Sequence, residues 1–218
     1  MQTVQLCGIS VPLSPSVKCL GLTLQHTLRW QDHLGSLAPK CYAVIASLRR
    51  LRDLGITVEG LLLVYKALLI PLLCYGITIW GGGYRRVLHR GEIIQNDALR
   101  AIFGRCRRDS VDDVFDKFEL LRLNEICTVQ TALLAFKMLK GKIANDISFP
   151  ITAAAKRTTR RATVFMRPFA VKESTRQALA YRLPAVWGSL PCEIRSITSA
   201  KKFAYELKKV IRNGTYLC

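Results

Sequence analysis

The stretch TVEGLLLVYKALLIPLLCYGITIWGGG, residues 57–83, decides how the rest of this sequence folds. Its apolar part, residues 61–80, has the length of a bilayer-spanning helix. Lys66 near the middle, Pro71 and Gly76 count against a span. A buried helix–helix hairpin is therefore expected. Thr57 is placed to cap the helix, and Pro71 should kink or stop it. Gly81, Gly82 and Gly83 then break the run. They lack the Lys and Ser/Thr that make a glycine loop hold phosphate, so they read as a helix break.

Working outward, Leu37, Cys41, Ile45, Leu48 and Leu51 recur at spacings of 4, 4, 3 and 3, which predicts a helix from about Trp30 to Gly55. Before it, residues 3–24 read as extended, broken at Gly8 and turned at Pro12 and Pro15. Val17 to Leu24 forms a plausible strand that Gly21 weakens or opens to close backbone approach. After the glycines, a third helix covers Leu88–Phe103 and stops at Gly104. Ser110 begins a short helix with Val111, Val114, Phe115 and Phe118 on one face. Asn124 caps another that ends at Gly141. Residues 142–172 lose the period, and helices return around 173–187 and from Ser199 to about Arg212. The fold class is mainly α: a short N-terminal β element, a helical bundle and a loop-rich basic C-terminal region.

The 218 residues carry 33 Lys and Arg against 15 Asp and Glu, a net charge of +18. Residues 1–109 hold +8 of it and residues 110–218 hold +10, so no basic tail hangs from a neutral body. Such a surface suits a polyanion and argues against an acidic-protein scaffold or cationic substrates. Three clusters stand out: Arg49, Arg50 and Arg52; Arg105, Arg107 and Arg108; and Lys156, Arg157, Arg160 and Arg161. Together they favour sequence-independent contact with phosphate backbones. Trp30, Tyr75 and Trp80 could stack on bases, although the apolar setting of Tyr75 and Trp80 points to core packing.

Equipment for catalysis is sparse. Asp112 and Asp113 form the one adjacent carboxylate pair, and after Ser110 they read as helix capping and dipole complement rather than a metal site. Cys7, Cys19, Cys41, Cys74, Cys106, Cys127, Cys192 and Cys218 show no Cys-x-x-Cys spacing, and His26, His33 and His89 are scattered, which disfavours zinc. With no signal peptide at the start, these cysteines are expected to be reduced, mostly buried thiols in a cytoplasmic or nuclear, non-secreted protein. Asn213-Gly214-Thr215 then reads as a C-terminal turn rather than a glycosylation site.

Read together, several strings resemble the non-LTR (LINE-type) retrotransposon reverse transcriptases, nearest the jockey and chicken-repeat clades. Val17-Lys18-Cys19-Leu20-Gly21 followed by Trp30-x-x-His33 is similar to one block of that family, with Cys19 in place of an aromatic. Tyr65, Pro71, Tyr75-Gly76 and Trp80-Gly81 match a second, and Ile94 to Gly104 continues it. Thr159-Arg160, Pro184 to Pro191 and Ser199 to Leu207 fit its closing strings.

The resemblance implies the end of the palm over residues 1–28, where Lys18, Leu20 and Gly21 would sit in a primer-gripping hairpin. It implies a helical thumb over 29–141 and a basic segment with C-terminal helices over 142–218. Arg29 and Trp30 join the three basic clusters as expected contacts to RNA and DNA template–primer and to the element's own RNA. The family's catalytic Phe/Tyr-x-Asp-Asp motif and its Mg²⁺ belong to a palm that precedes this block. The expectation is therefore a C-terminal fragment without cofactor of its own, inactive alone, and without stable membrane insertion. Two rival readings are a small membrane-associated protein, anchored by residues 61–80 with its arginines on anionic lipid, and a nonfunctional remnant that needs the missing palm to fold.

Overall fold

The computed structural model describes residues 3–6, 9–12, 14–82, 85–141 and 172–212, with Phe165 and Phe169. Strands β1 (Thr3–Leu6) and β2 (Ile9–Pro12) pair antiparallel. Strands β3 (Ser16–Cys19) and β4 (Leu22–Gln25) form a second antiparallel pair, closed by Cys19 opposite Leu22. The single strand expected over Val17–Leu24 is thus folded back on itself. Leu20 and Gly21 both take positive φ, 46° and 82°, the combination of a two-residue turn whose twist suits a hairpin.

Helix α1 (Gln31–Asp53) turns Leu34, Leu37, Cys41, Ile45 and Leu48 to one buried face, as the apolar spacing requires. Gly55, with φ 81°, ends it. The Thr57 hydroxyl accepts the Gly60 N–H and caps α2 (Val58–Val64). Of the kink or stop expected at Pro71, the stop does not occur. Instead the helix widens into a π turn (Tyr65–Leu69), continues as α3 (Ile70–Cys74) and breaks only at Tyr75 and Gly76. In the π turn the Ile70 N–H reaches back five residues to the Tyr65 carbonyl. That widening shifts the carbonyls ahead of Pro71 out of α register, which accommodates a ring that brings no N–H and crowds the preceding turn.

Beyond Gly76 come α4 (Ile77–Trp80), α5 (Arg85–Phe103), α6 (Asp112–Lys117), α7 (Leu123–Leu139), α8 (Glu173–Gln177), α9 (Leu179–Ser189), α10 (Cys192–Arg195) and α11 (Ala200–Arg212). Two expected caps move by one or two residues. Val111 precedes α6, although the Ser110 hydroxyl still accepts the Asp112 N–H at 3.2 Å. Arg122 precedes α7, where the Glu125 carboxylate folds back to accept its N–H at 2.8 Å.

Within residues 61–80, Leu61, Leu62, Tyr65, Leu69, Leu73, Ile77 and Trp80 are buried while Lys66 reaches the surface. Among the described residues no helix is long and apolar enough to cross a membrane. Apolar packing forms two clusters. The first joins the β3–β4 hairpin, α1 to α6 and the start of α7. The second joins the rest of α7 to α9, α10 and α11, where Phe136 and Trp187 both stack on Phe203, at 4.5 and 6.0 Å between centroids. Arg182 of α9 ties the two together. Its guanidinium donates to the Thr78 carbonyl at 2.6 Å and to Gln177 at 2.9 Å, and it lies where a Gly82 side chain would stand.

The expectation of mostly buried thiols needs correcting. Cys41 and Cys127 are buried and Cys74 half-buried, but Cys19, Cys106 and Cys192 are exposed, because the last three sit at a hairpin turn, in a loop and at a helix start rather than on apolar faces. All six are free thiols. Burial pushes Cys41 up to about 11 and Cys74 up to about 12, so neither ionises at neutral pH.

Candidate nucleic-acid interface

The C-terminal ends of α1 and α5 come together, and with them two of the three arginine clusters. The link is Arg52, whose Nη1 donates to the Ala101 carbonyl at 2.9 Å and approaches Gly104. Gly104 takes φ 64°, and this left-handed residue lets the chain leave α5 and carry Arg105, Arg107 and Arg108 around the same corner.

Not all of these charges are available. Arg52 pairs with Asp53 at 2.8 Å. Arg105 forks onto Asp113 and donates to the Ser110 carbonyl, and Asp113 holds its guanidinium firmly protonated. Arg100 pairs with Asp97 at 2.9 Å. Arg49, Arg50, Arg107 and Arg108 remain exposed, outside these pairs.

Asp112 and Asp113 face different partners. Ser110 and then Arg122 hold the Asp112 carboxyl below its ordinary range, and Arg105 does the same for Asp113. Two carboxylates turned to separate guanidiniums do not fit a Mg²⁺ pair. Among the described residues no cluster of three His, Cys, Asp or Glu side chains could hold a metal.

At the opposite end of α1 stands the β3–β4 hairpin with Lys18, Leu20 and Gly21. Leu20 is 86% exposed at its tip. The Tyr75 hydroxyl donates to the Leu20 carbonyl at 2.6 Å. A Cβ at Gly21 would lie 3.1 Å from the Tyr75 ring, and one at Gly76 only 2.9 Å from Leu22. The core assignment of Tyr75 is therefore corrected: it is 56% exposed and braces the hairpin from outside. At 1.5 Å per residue, the 23 residues of α1 make a rod about 35 Å long, with the hairpin near one end and the arginine corner at the other.

Trp30 moves the other way. It is 7% exposed and caps α1 with φ 60°, leaving no open face for a base. His33 lies between Trp30 and Trp80, with centroids at 6.4 and 5.8 Å. Its Nδ1 accepts the Thr23 N–H at 3.4 Å, which ties α1 to the hairpin. Arg29 is exposed just ahead of this ladder. Lys156, Arg157, Arg160 and Arg161 lie outside the described residues.

Another basic surface was missed from the sequence. Phe203, Leu207 and Ile211 bury one side of α11, which leaves Lys201, Lys202, Lys208 and Lys209 exposed. The signal was present in that same apolar stripe, because its period fixes where the intervening lysines point.

Over 101 residues the sequence is 33% identical to a protein of Drosophila melanogaster named as the probable RNA-directed DNA polymerase from transposon BS. The match takes in 45% of this chain and 11% of that protein, so this chain spans only a small part of its relative. No family model matches the chain, and no solved structure matches it. In the matched stretch the chain is thus related to a transposon's RNA-directed DNA polymerase.

Proposed function

We propose that this chain is the template–primer-holding part of a LINE-type retrotransposon reverse transcriptase: the thumb and C-terminal extension of a jockey-like element, with the end of the palm as its first hairpin. It would grip RNA and DNA by their backbones and leave the phosphoryl transfer to acidic residues outside this sequence. One observation carries the reading. The folding of α1 and α5 turns two clusters remote in sequence into one corner with Arg49, Arg50, Arg107 and Arg108 exposed. Helix α1, about 35 Å long, runs the length of about ten base pairs of duplex. A template–primer could therefore lie along α1, touching the hairpin at one end and the arginines at the other.

The test is a salt titration of an RNA–DNA hybrid. Each phosphate contact should add roughly 0.7 to 0.9 to the slope of log affinity against log salt. Changing the four exposed arginines to Ala should flatten that slope by about 3 units and weaken all sequences alike. An unchanged slope would remove the corner from the interface, and no binding by the wild type would end the proposal.

A further inference from the structure

The π turn, α3, the segment between α6 and α7, α7 and α11 line a groove of about 680 Å³. Its floor is apolar: Ile70, Pro71, Leu120, Leu121, Ile126 and Val129 line it. Its rim carries Lys66, Lys208 and Lys209, all exposed. Arg212 is also on the rim but already pairs with Glu119 at 2.9 Å. Tyr205 stands at the edge, 67% exposed.

We propose that this groove holds a short single-stranded stretch of nucleic acid, separate from the arginine corner. The proposal rests on the nucleic-acid reading above and adds a second site to it. Sequence-tolerant single-strand sites pair a cationic track for phosphates with an aromatic face and an apolar bed for bases. Here one wall supplies Lys66, the other supplies Lys208 and Lys209, and Tyr205 lies beside the latter. A duplex presents its phosphates outward and its bases inward, so it could use the lysines but not the floor. A volume of 680 Å³ lies in the range of small-ligand pockets, so only a short stretch of strand can enter. An acidic amphipathic helix would match the same charges, but the exposed tyrosine and the short groove favour bases.

Fluorescence anisotropy with a labelled oligo-dT and a blunt RNA–DNA hybrid tests this on the full chain. Tyr205→Ala should weaken oligo-dT by about tenfold and leave the blunt hybrid unchanged, while Tyr205→Phe should restore oligo-dT binding. Lys66→Ala with Lys208→Ala and Lys209→Ala should lower the oligo-dT salt slope by about 2 units. All four side chains are exposed, so the variants are expected to fold, which circular dichroism melts would check. If these variants bind oligo-dT like the wild type while the arginine-corner variant loses the hybrid, the groove proposal fails and the proposed function stands. If the lysine variant weakens oligo-dT but Tyr205→Ala does not, the rim is a diffuse charge and the single-strand site is overturned. Should an acidic amphipathic peptide bind the groove and oligo-dT ignore it, the occupant is a protein and the proposal is equally overturned.

Discussion

Gln95 is an amide buried among apolar helices, and all its bonds are internal. Its Nε2 donates to the Tyr65 hydroxyl and to the Leu121 carbonyl, and its Oε1 accepts the Leu123 N–H, each at 2.9 Å. Changing it to Met keeps the volume but strands two buried backbone groups and a hydroxyl. Gln95→Met should therefore cost about 3 kcal/mol in urea unfolding; a loss below about 1 kcal/mol would mean that water replaces the amide. His33 makes a different prediction. Burial, and secondarily Lys40, hold its pKa below 6.5. Its folded form thus resists the proton that the unfolded chain accepts. Stability should be full above about pH 6.5 and fall as pH drops below it, well above the range where Asp112 and Asp113 titrate. Denaturation midpoints at pH 7.5 and 5.5, compared with those of His33→Phe, check this: the variant should lose much of the dependence.

At the scale of elements, the helices were legible because their apolar periods and their glycines act locally. Gly55, Gly104 and Gly141 each end a helix with positive φ where the sequence placed the stop. Pro71 does not stop the helix, because its cost depends on the preceding turn and a π turn removes much of it. Tyr75 was misread because periodicity counts it among apolar neighbours, yet the break at Gly76 aims it at the hairpin. The arginine corner was half legible: each cluster shows in the sequence, but their meeting depends on how α1 crosses α5. The hairpin itself offers a prediction. Tyr75→Phe removes one exposed hydrogen bond, so global stability should change by less than about 1 kcal/mol. Amide hydrogen exchange in Leu22–Gln25 should nevertheless speed up, because the ring hydroxyl is what anchors the turn. Unaltered exchange would show that Leu22 packing alone holds the strands.

For the whole molecule, α7 and Arg182 make one unit of two apolar clusters. Trp30 and Trp80 lie in the first cluster and Trp187 in the second, so fluorescence can follow them separately in single-tryptophan backgrounds. Arg182→Met should lower stability by roughly 2 kcal/mol through loss of charge-assisted bonds to Thr78 and Gln177. It should also split one unfolding transition into two. A single coincident transition would show that α7 suffices to couple the clusters. The three exposed thiols have a consequence of their own. Cys19 lies in the hairpin, Cys106 among the arginines and Cys192 at the start of α10. With Cys7 and Cys218 replaced by serine, each region carries its own native attachment point for a dye or spin label. Distances between labelled pairs would show whether hairpin, corner and C-terminal helices shift together when an RNA–DNA hybrid is added.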